Sequence, residues 1–279
     1  MLRRLLVLVS LLGGVWLLVP LEAQQPAPYR ILISNDDGVR APGLAAVAEA
    51  LQSLGEVTIV APSEGQSGKG HAIVTVEPIF RDDLVLPNGL PAIGLSATPA
   101  TTVNVAIRNI LSARPDLVVS GINRGYNLAF SAYLSGTVGA AREGAMHGVP
   151  AIAASLAERG APGDYAAAAQ QVLVIARRVK ASGLDPLTFL NVNVPARPEA
   201  GYRGIRVTSQ AMLRGGTESF AETKHPSGRS IYWNQYQENA NAPEGTDIWA
   251  VNNGYVSVTP MKIGEFDERG QRRIADWFR

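Results

Sequence analysis

The stretch RILISNDDG, residues 30–38, decides how the rest of the chain is read. Ile31, Leu32 and Ile33 would be apolar on both faces of a strand, the pattern of a strand buried inside a parallel sheet with helices on either side. In such a sheet the C-terminal ends of the strands open into a crevice where ligands bind. Asp36 and Asp37 stand at that end as two adjacent negative charges, a repulsion that calls for a counter-charge.

Working outward, short apolar runs alternate with helical spacing, which predicts a βαβ framework. Strand 30–34 is followed by a helix opened by Pro42 and spaced through Leu44, Val47, Leu51 and Leu54. A strand at 57–60 leads to a polar, glycine-rich loop at 61–72, and 73–95 reads as extended pieces around the turn Pro87, Asn88, Gly89. Thr98 is placed to cap a helix through Leu111; a strand at 116–120 enters a polar loop at 121–136, and Thr137 opens a helix to about His147. A strand at 150–155 and an Ala-rich helix at 165–180 continue the alternation. After Pro195 the pattern changes to short strands at 205–208, 230–233 and 255–259, with no helix expected before 271–278. The chain therefore divides into an α/β core at 24–195 and a β-rich extension at 196–279, suited to a local sheet extension or to an oligomer interface.

Residues 1–23 carry the marks of a secretory signal peptide: Arg3 and Arg4, then an apolar run from Leu5 to Val19, then Ala23. The run is shorter than a spanning helix prefers, and an uncleaved anchor is the alternative. Both place the globular part in the periplasm or outside the cell. With 279 residues and 46% apolar content the chain can bury a large core. Its 25 Lys and Arg against 24 Asp and Glu give no basic surplus for gripping nucleic acid. It has no cysteine, which excludes thiolate metal sites, thiol nucleophiles and disulfides.

Three loops fall on one edge of the expected sheet and offer Asp36, Asp37, Ser63, Ser67, Ser120, Asn123 and Asn127. Hard oxygen donors of this kind suit Mg²⁺, Mn²⁺ or Ca²⁺ better than zinc. A cation would also cancel the repulsion within the aspartate pair. The segment Ser135, Gly136, Thr137 opens a helix, where backbone N–H groups favour an anion such as phosphate; a plain helix cap is the other reading. Other chemistries fail on spacing. There is no GxGxxG after the first strand, SEGQSGKG has Ser63 and Gly70 where a phosphate loop needs Gly and Ser or Thr, and no GxSxG elbow is present. His71, His147 and His225 are scattered, and His147 reads as a packing residue.

Six segments, ILISNDDGVRAPG, VAPSEGQSG, ATPATTVNVAI, PDLVVSGINRGYNL, SGTVGAAREGAMHGVPAIAAS and GTDIWAVNNGYVSVTP, resemble in order and spacing the stationary-phase survival protein SurE family of metal-dependent nucleotidases and acid phosphatases, over about residues 29–262. The resemblance implies a Rossmann-like three-layer core with a mainly parallel sheet and a β-rich C-terminal extension exchanged between subunits in dimers or tetramers. It implies hydrolysis of nucleoside 5′- and 3′-monophosphates, with one Mg²⁺ or Mn²⁺ per subunit held by Asp36, Asp37, Ser67 and Asn123. Asn35, Asn127, Ser135, Gly136 and Thr137 would line the phosphate pocket, with Asp36, Asp37 and Ser135 nearest the chemistry. The chain departs from the family pattern at Arg40, where DDGVHAPG is common, and at Ala129–Leu134, where an acidic, glycine-containing lip has become AFSAYL. The second departure bears on substrate preference. The family is often cytoplasmic, so an export signal is unusual in it. Two rival readings stand beside it: an exported solute-binding or scaffold protein that kept the fold without catalysis, and a Ca²⁺-dependent nucleoside N-glycosidase, which the later motifs do not support.

Overall fold

The structure is a computed structural model and describes residues 27–157, 162–213, 216–238 and 241–279; the expected signal segment 1–23 lies outside them. In chain order the elements are β1 (Arg30–Ser34), α1 (Pro42–Leu51), β2 (Glu56–Pro62), β3 (Arg81–Val85), β4 (Pro91–Leu95) and α2 (Pro99–Val105), which runs on as a π-helical turn (Ala106–Ile110). Next come β5 (Leu117–Arg124), a 3₁₀ turn (Ala129–Tyr133), α3 (Gly136–Met146), β6 (Ala151–Leu156), α4 (Pro162–Ser182) and β7 (Thr188–Val194). The C-terminal part holds β8 (Ile205–Val207), β9 (Gly216–Lys224), β10 (Ser230–Glu238), α5 (Asp247–Asn252), β11 (Val256–Lys262) and α6 (Glu268–Ala275).

Among the described residues nine strands form one sheet in the order β3-β4-β2-β1-β5-β6-β7-β11-β8. The run from β4 to β7 is parallel, while β3 and β11 join it antiparallel. On one face Ile31 and Ile33 pack with Leu44 and Val47 of α1 and Val172 of α4. On the other Leu32 and Val118 pack with Val103 of α2 and Val138 and Ala141 of α3. This is the three-layer α/β architecture expected. Ile31, Leu32 and Ile33 are each fully buried, an anchorage of about 1.5–3 kcal/mol per side chain. The strand that carries the aspartate pair is therefore held from both faces.

The chain steps from β1 to β2 on one side and later returns to place β5 on the other. The end of β1 against β5 is thus the point where strand order reverses, the ligand-binding position of open α/β sheets. The two strands are in register with Ser34 opposite Ser120.

Three elements depart from the sequence expectation: β7, α5 and β9 (Gly216–Lys224), which lies where the sequence pattern predicts no strand. The sequence pattern does not predict β7, because Asn191 and Asn193 interrupt its apolar run, yet both are buried. α5 precedes the first helix expected after residue 195; Thr246 caps it, accepting from the Trp249 N–H at 3.4 Å. β8 and β11 extend the main sheet, whereas β9 and β10 pair only with each other. Phe220, Tyr232 and Trp233 of that hairpin are exposed, as are Trp277 and Phe278 after α6. No helix among the described residues is long and apolar enough to cross a membrane.

Candidate active site

β1 delivers Asp36 and Asp37 into the crevice beside β5, and the two carboxylates meet different surroundings. Asp36 is 4% exposed. Burial, and secondarily the charge of Asp37, push its carboxyl up to about 6, against the hydrogen bond from Thr137. That bond runs from Thr137 Oγ1 to Asp36 Oδ1, so the first turn of α3 orients the carboxylate. Asp37 is half-buried, and burial raises it too, offset in part by the backbone N–H and the charge of Arg124. The Arg124 N–H donates to Asp37 Oδ2 at 3.0 Å, tying the end of β1 to the end of β5.

The glycine-rich loop closes on the same point. Gln66 N–H donates to the Asp36 carbonyl at 2.7 Å, which leaves Ser67 on the exposed stretch immediately beyond. Asn123, the penultimate residue of β5, donates through Nδ2 to the Gly125 carbonyl at 2.7 Å, so its Oδ1 is the oxygen left for a ligand. Asn35 is buried; its Nδ2 donates to the Gly38 carbonyl at 2.8 Å, and its Oδ1 has no protein partner. Ser34 Oγ and Ser120 Oγ, beneath the pair, are likewise buried without partners. A buried polar oxygen without a partner costs about 1–3 kcal/mol, so this edge is short of a positive group or of water.

α3 begins against the pair. Ser135 Oγ accepts from the Val138 N–H at 3.2 Å, so Ser135 is a helix cap as well as a pocket residue. Gly136 is required by close approach: a Cβ there would lie 2.8 Å from Asp36 Cβ and 3.0 Å from Asp36 Oδ2. A phosphate could therefore meet the helix start and the carboxylates together.

Asn127 is buried and held from β6 and β7. Its N–H donates to Asn193 Oδ1 at 2.8 Å, its Nδ2 to Ser155 Oγ at 2.8 Å, and its carbonyl accepts from Asn191 Nδ2 at 2.7 Å and Asn193 Nδ2 at 3.2 Å. Sequence reasoning missed Asn191, Asn193 and Ser155; the signal was two asparagines at alternate positions of an apolar segment. Ser63 does not join the site. Its Oγ is buried 3.0 Å from where a Gly94 Cβ would stand, at the β2/β4 boundary and not at the β1/β5 crevice. The altered segment 129–134 is pinned from the C-terminal part: the Ala129 N–H donates to Asp247 Oδ2 at 2.8 Å and Gln210 Nε2 donates to the Ala129 carbonyl at 2.6 Å.

No three His, Asp or Glu side chains converge as a metal-ligand group among the described residues. A cation at this edge would draw on amide and hydroxyl oxygens beside the two carboxylates. That all-oxygen set, with its unpartnered neighbours, fits a hard divalent ion.

The family model for "Survival protein SurE" matches residues 31–216. The 5'-nucleotidase SurE of Geotalea uraniireducens is 44% identical over 235 residues, covering 84% of this chain and 93% of that protein. The 5'-nucleotidase SurE 1 of Thermus thermophilus is 44% identical over 236 residues, covering 84% and 92%. The crystal structure of the SurE protein from Aquifex aeolicus superposes with a TM-score of 0.77 at 37% identity, covering 90% of this chain and 100% of that one. With a match of this extent in sequence and in fold, the chain belongs to the Survival protein SurE family.

Proposed function

We propose that the chain is a phosphomonoesterase that hydrolyses nucleoside 5′- and 3′-monophosphates with one Mg²⁺ or Mn²⁺ per subunit. The observation that carries this reading is the buried Asp36 carboxylate, set between Asp37 and the first turn of α3. The relatives named 5'-nucleotidase support the substrate class.

Asp36, Asp37, Ser67 and Asn123 would hold the cation, which when bound supplies positive charge and Lewis acidity toward a phosphate oxygen and a water. The N–H groups at Ser135–Thr137 would hold the remaining phosphate oxygens, assisted by the helix dipole. Asp36, the more deeply buried carboxylate and oriented by Thr137, takes a proton from the attacking water. Thr137 keeps that carboxylate oriented, and Asn127, immobilised by Asn193, closes the pocket on the side of β6. The Arg3–Arg4 pair followed by an apolar run supports an exported enzyme, and the exposed aromatics of the β9–β10 hairpin and the C-terminal tail support a homodimer or homotetramer.

The test is inorganic phosphate release from AMP, 3′-AMP and p-nitrophenyl phosphate with Mg²⁺ or Mn²⁺, with chelator, and for Asp36→Asn. Turnover is expected with cation and lost with chelator or in the variant. Turnover that survives chelator, or no turnover on any of the three substrates, would overturn the reading.

A further inference from the structure

Helix α3 contains a buried carboxylate that the proposed mechanism does not use. Glu143, two turns beyond Gly136, has a side chain 8% exposed. An uncompensated charge there would be strongly destabilising. Each oxygen instead has its own imidazole: Oε2 lies 2.8 Å from His71 Nε2, and Oε1 lies 3.3 Å from His147 Nε2. Burial alone would raise this carboxyl, but the contacts with His71 and His147 hold it below the usual glutamate range.

The two contacts differ in what they join. His147 is one turn further along the same helix, so that contact is local. His71 arrives from 72 positions away, at the end of the loop that carries Ser67. The loop has two anchors. At its start Gln66 N–H reaches the Asp36 carbonyl; at its end Gly70 N–H reaches the Leu134 carbonyl at 2.9 Å, and the Gly70 carbonyl packs so closely on Gly139 that a Cβ there would collide with it. Between the anchors Ser67, Gly68 and Lys69 are exposed. The position of Ser67 relative to Asp36 therefore depends on how firmly the second anchor holds to α3.

We propose that Glu143 is a positioning residue that, through His71, fixes the Ser67 loop onto the helix whose first turn faces Asp36, and so sets the affinity of the site for its cation. This rests on the cation-dependent reading above. The test is calorimetric titration of Mn²⁺ into the metal-free full chain, with the Mn²⁺-induced rise in melting temperature as a second readout. Wild type is compared with His71→Ala, His71→Gln and His147→Ala. A residue supporting a metal site from behind the ligands is expected to cost about ten-fold in affinity, so His71→Ala should weaken Mn²⁺ by that factor. His71→Gln, which keeps an amide donor, should recover most of it. His147→Ala should lower the melting temperature while holding the Mn²⁺ dissociation constant within about two-fold of wild type. Wild-type affinity in His71→Ala, or equal weakening in both alanine variants, would overturn the positioning role. Absence of Mn²⁺ uptake by wild type would overturn the cation reading itself, and would show before any variant is compared.

Discussion

Replacing Asp36 by Asn should destroy catalysis and, without cation, stabilise the protein. Asp36 is held at about 6 against an ordinary 3.8, so the folded state binds its proton more tightly than the unfolded chain does. For a raised carboxyl, stability is undiminished below the unfolded value and falls as pH rises from about 4 to about 6, then levels off. At about 1.4 kcal/mol per pH unit the loss reaches about 3 kcal/mol at neutral pH. Asn has the same shape, still accepts from Thr137 Oγ1 and corresponds to the neutral acid, the hydrogen bond to the charged form being already contained in the value of about 6. The gain is therefore about 3 kcal/mol, or about 6–12 °C in melting temperature for a chain of this size. The assay is thermal unfolding in excess chelator, wild type against Asp36→Asn, at pH 7.5 and pH 4. The variant should melt higher at pH 7.5 and the two should converge at pH 4, where the wild-type carboxyl is protonated when folded. Saturating Mg²⁺ should reverse the order at pH 7.5 by stabilising wild type alone. Phosphate release by the variant should fall by about three orders of magnitude. A variant that melts at or below wild type in chelator at pH 7.5 would refute the claim that burial, through its cost to the charged form, poises Asp36.

Gly136→Ala should leave far-ultraviolet circular dichroism unchanged but lower phosphate release by about a hundred-fold, because the added Cβ would sit 2.8 Å from Asp36 Cβ and shift the carboxylate; near wild-type turnover would show that the contact relaxes harmlessly. Asn193→Ala removes the acceptor of the buried Asn127 N–H and should cost about 1–3 kcal/mol in denaturant unfolding, with KM raised more than kcat is lowered. An unchanged unfolding midpoint would remove Asn193 from the account of the pocket.

Much of this protein is legible because its signals are local. ILIS followed by NDDG specifies a buried strand and its turn within one short segment, and the alternation of apolar runs with helical spacing fixes the order of layers from β1 through α4. The three polar loops can be assigned to one sheet edge because parallel strands share a direction. Ser63 shows where that inference stops: its loop groups it with the site, whereas strand order turns it toward β4. His147 reads as a packing residue because its neighbours in sequence are Ala, Met and Gly, yet it shares the carboxylate of Glu143 with His71. Neither β7 nor its asparagines announce their task, since polar residues in an apolar run mean burial only once something is known to need their hydrogen bonds.

The sequence by itself determined the alternation of strands and helices in the core, because periodicity and turn chemistry act over a few residues, and its six motif segments carried the resemblance to the family. Only the tertiary structure decided which oxygens lack partners, how far Asp36 is raised, and which distant side chains hold the site in place. Those properties depend on desolvation and on contacts such as Thr137 to Asp36 or Glu143 to His71, which exist only after strands far apart in the chain have come together.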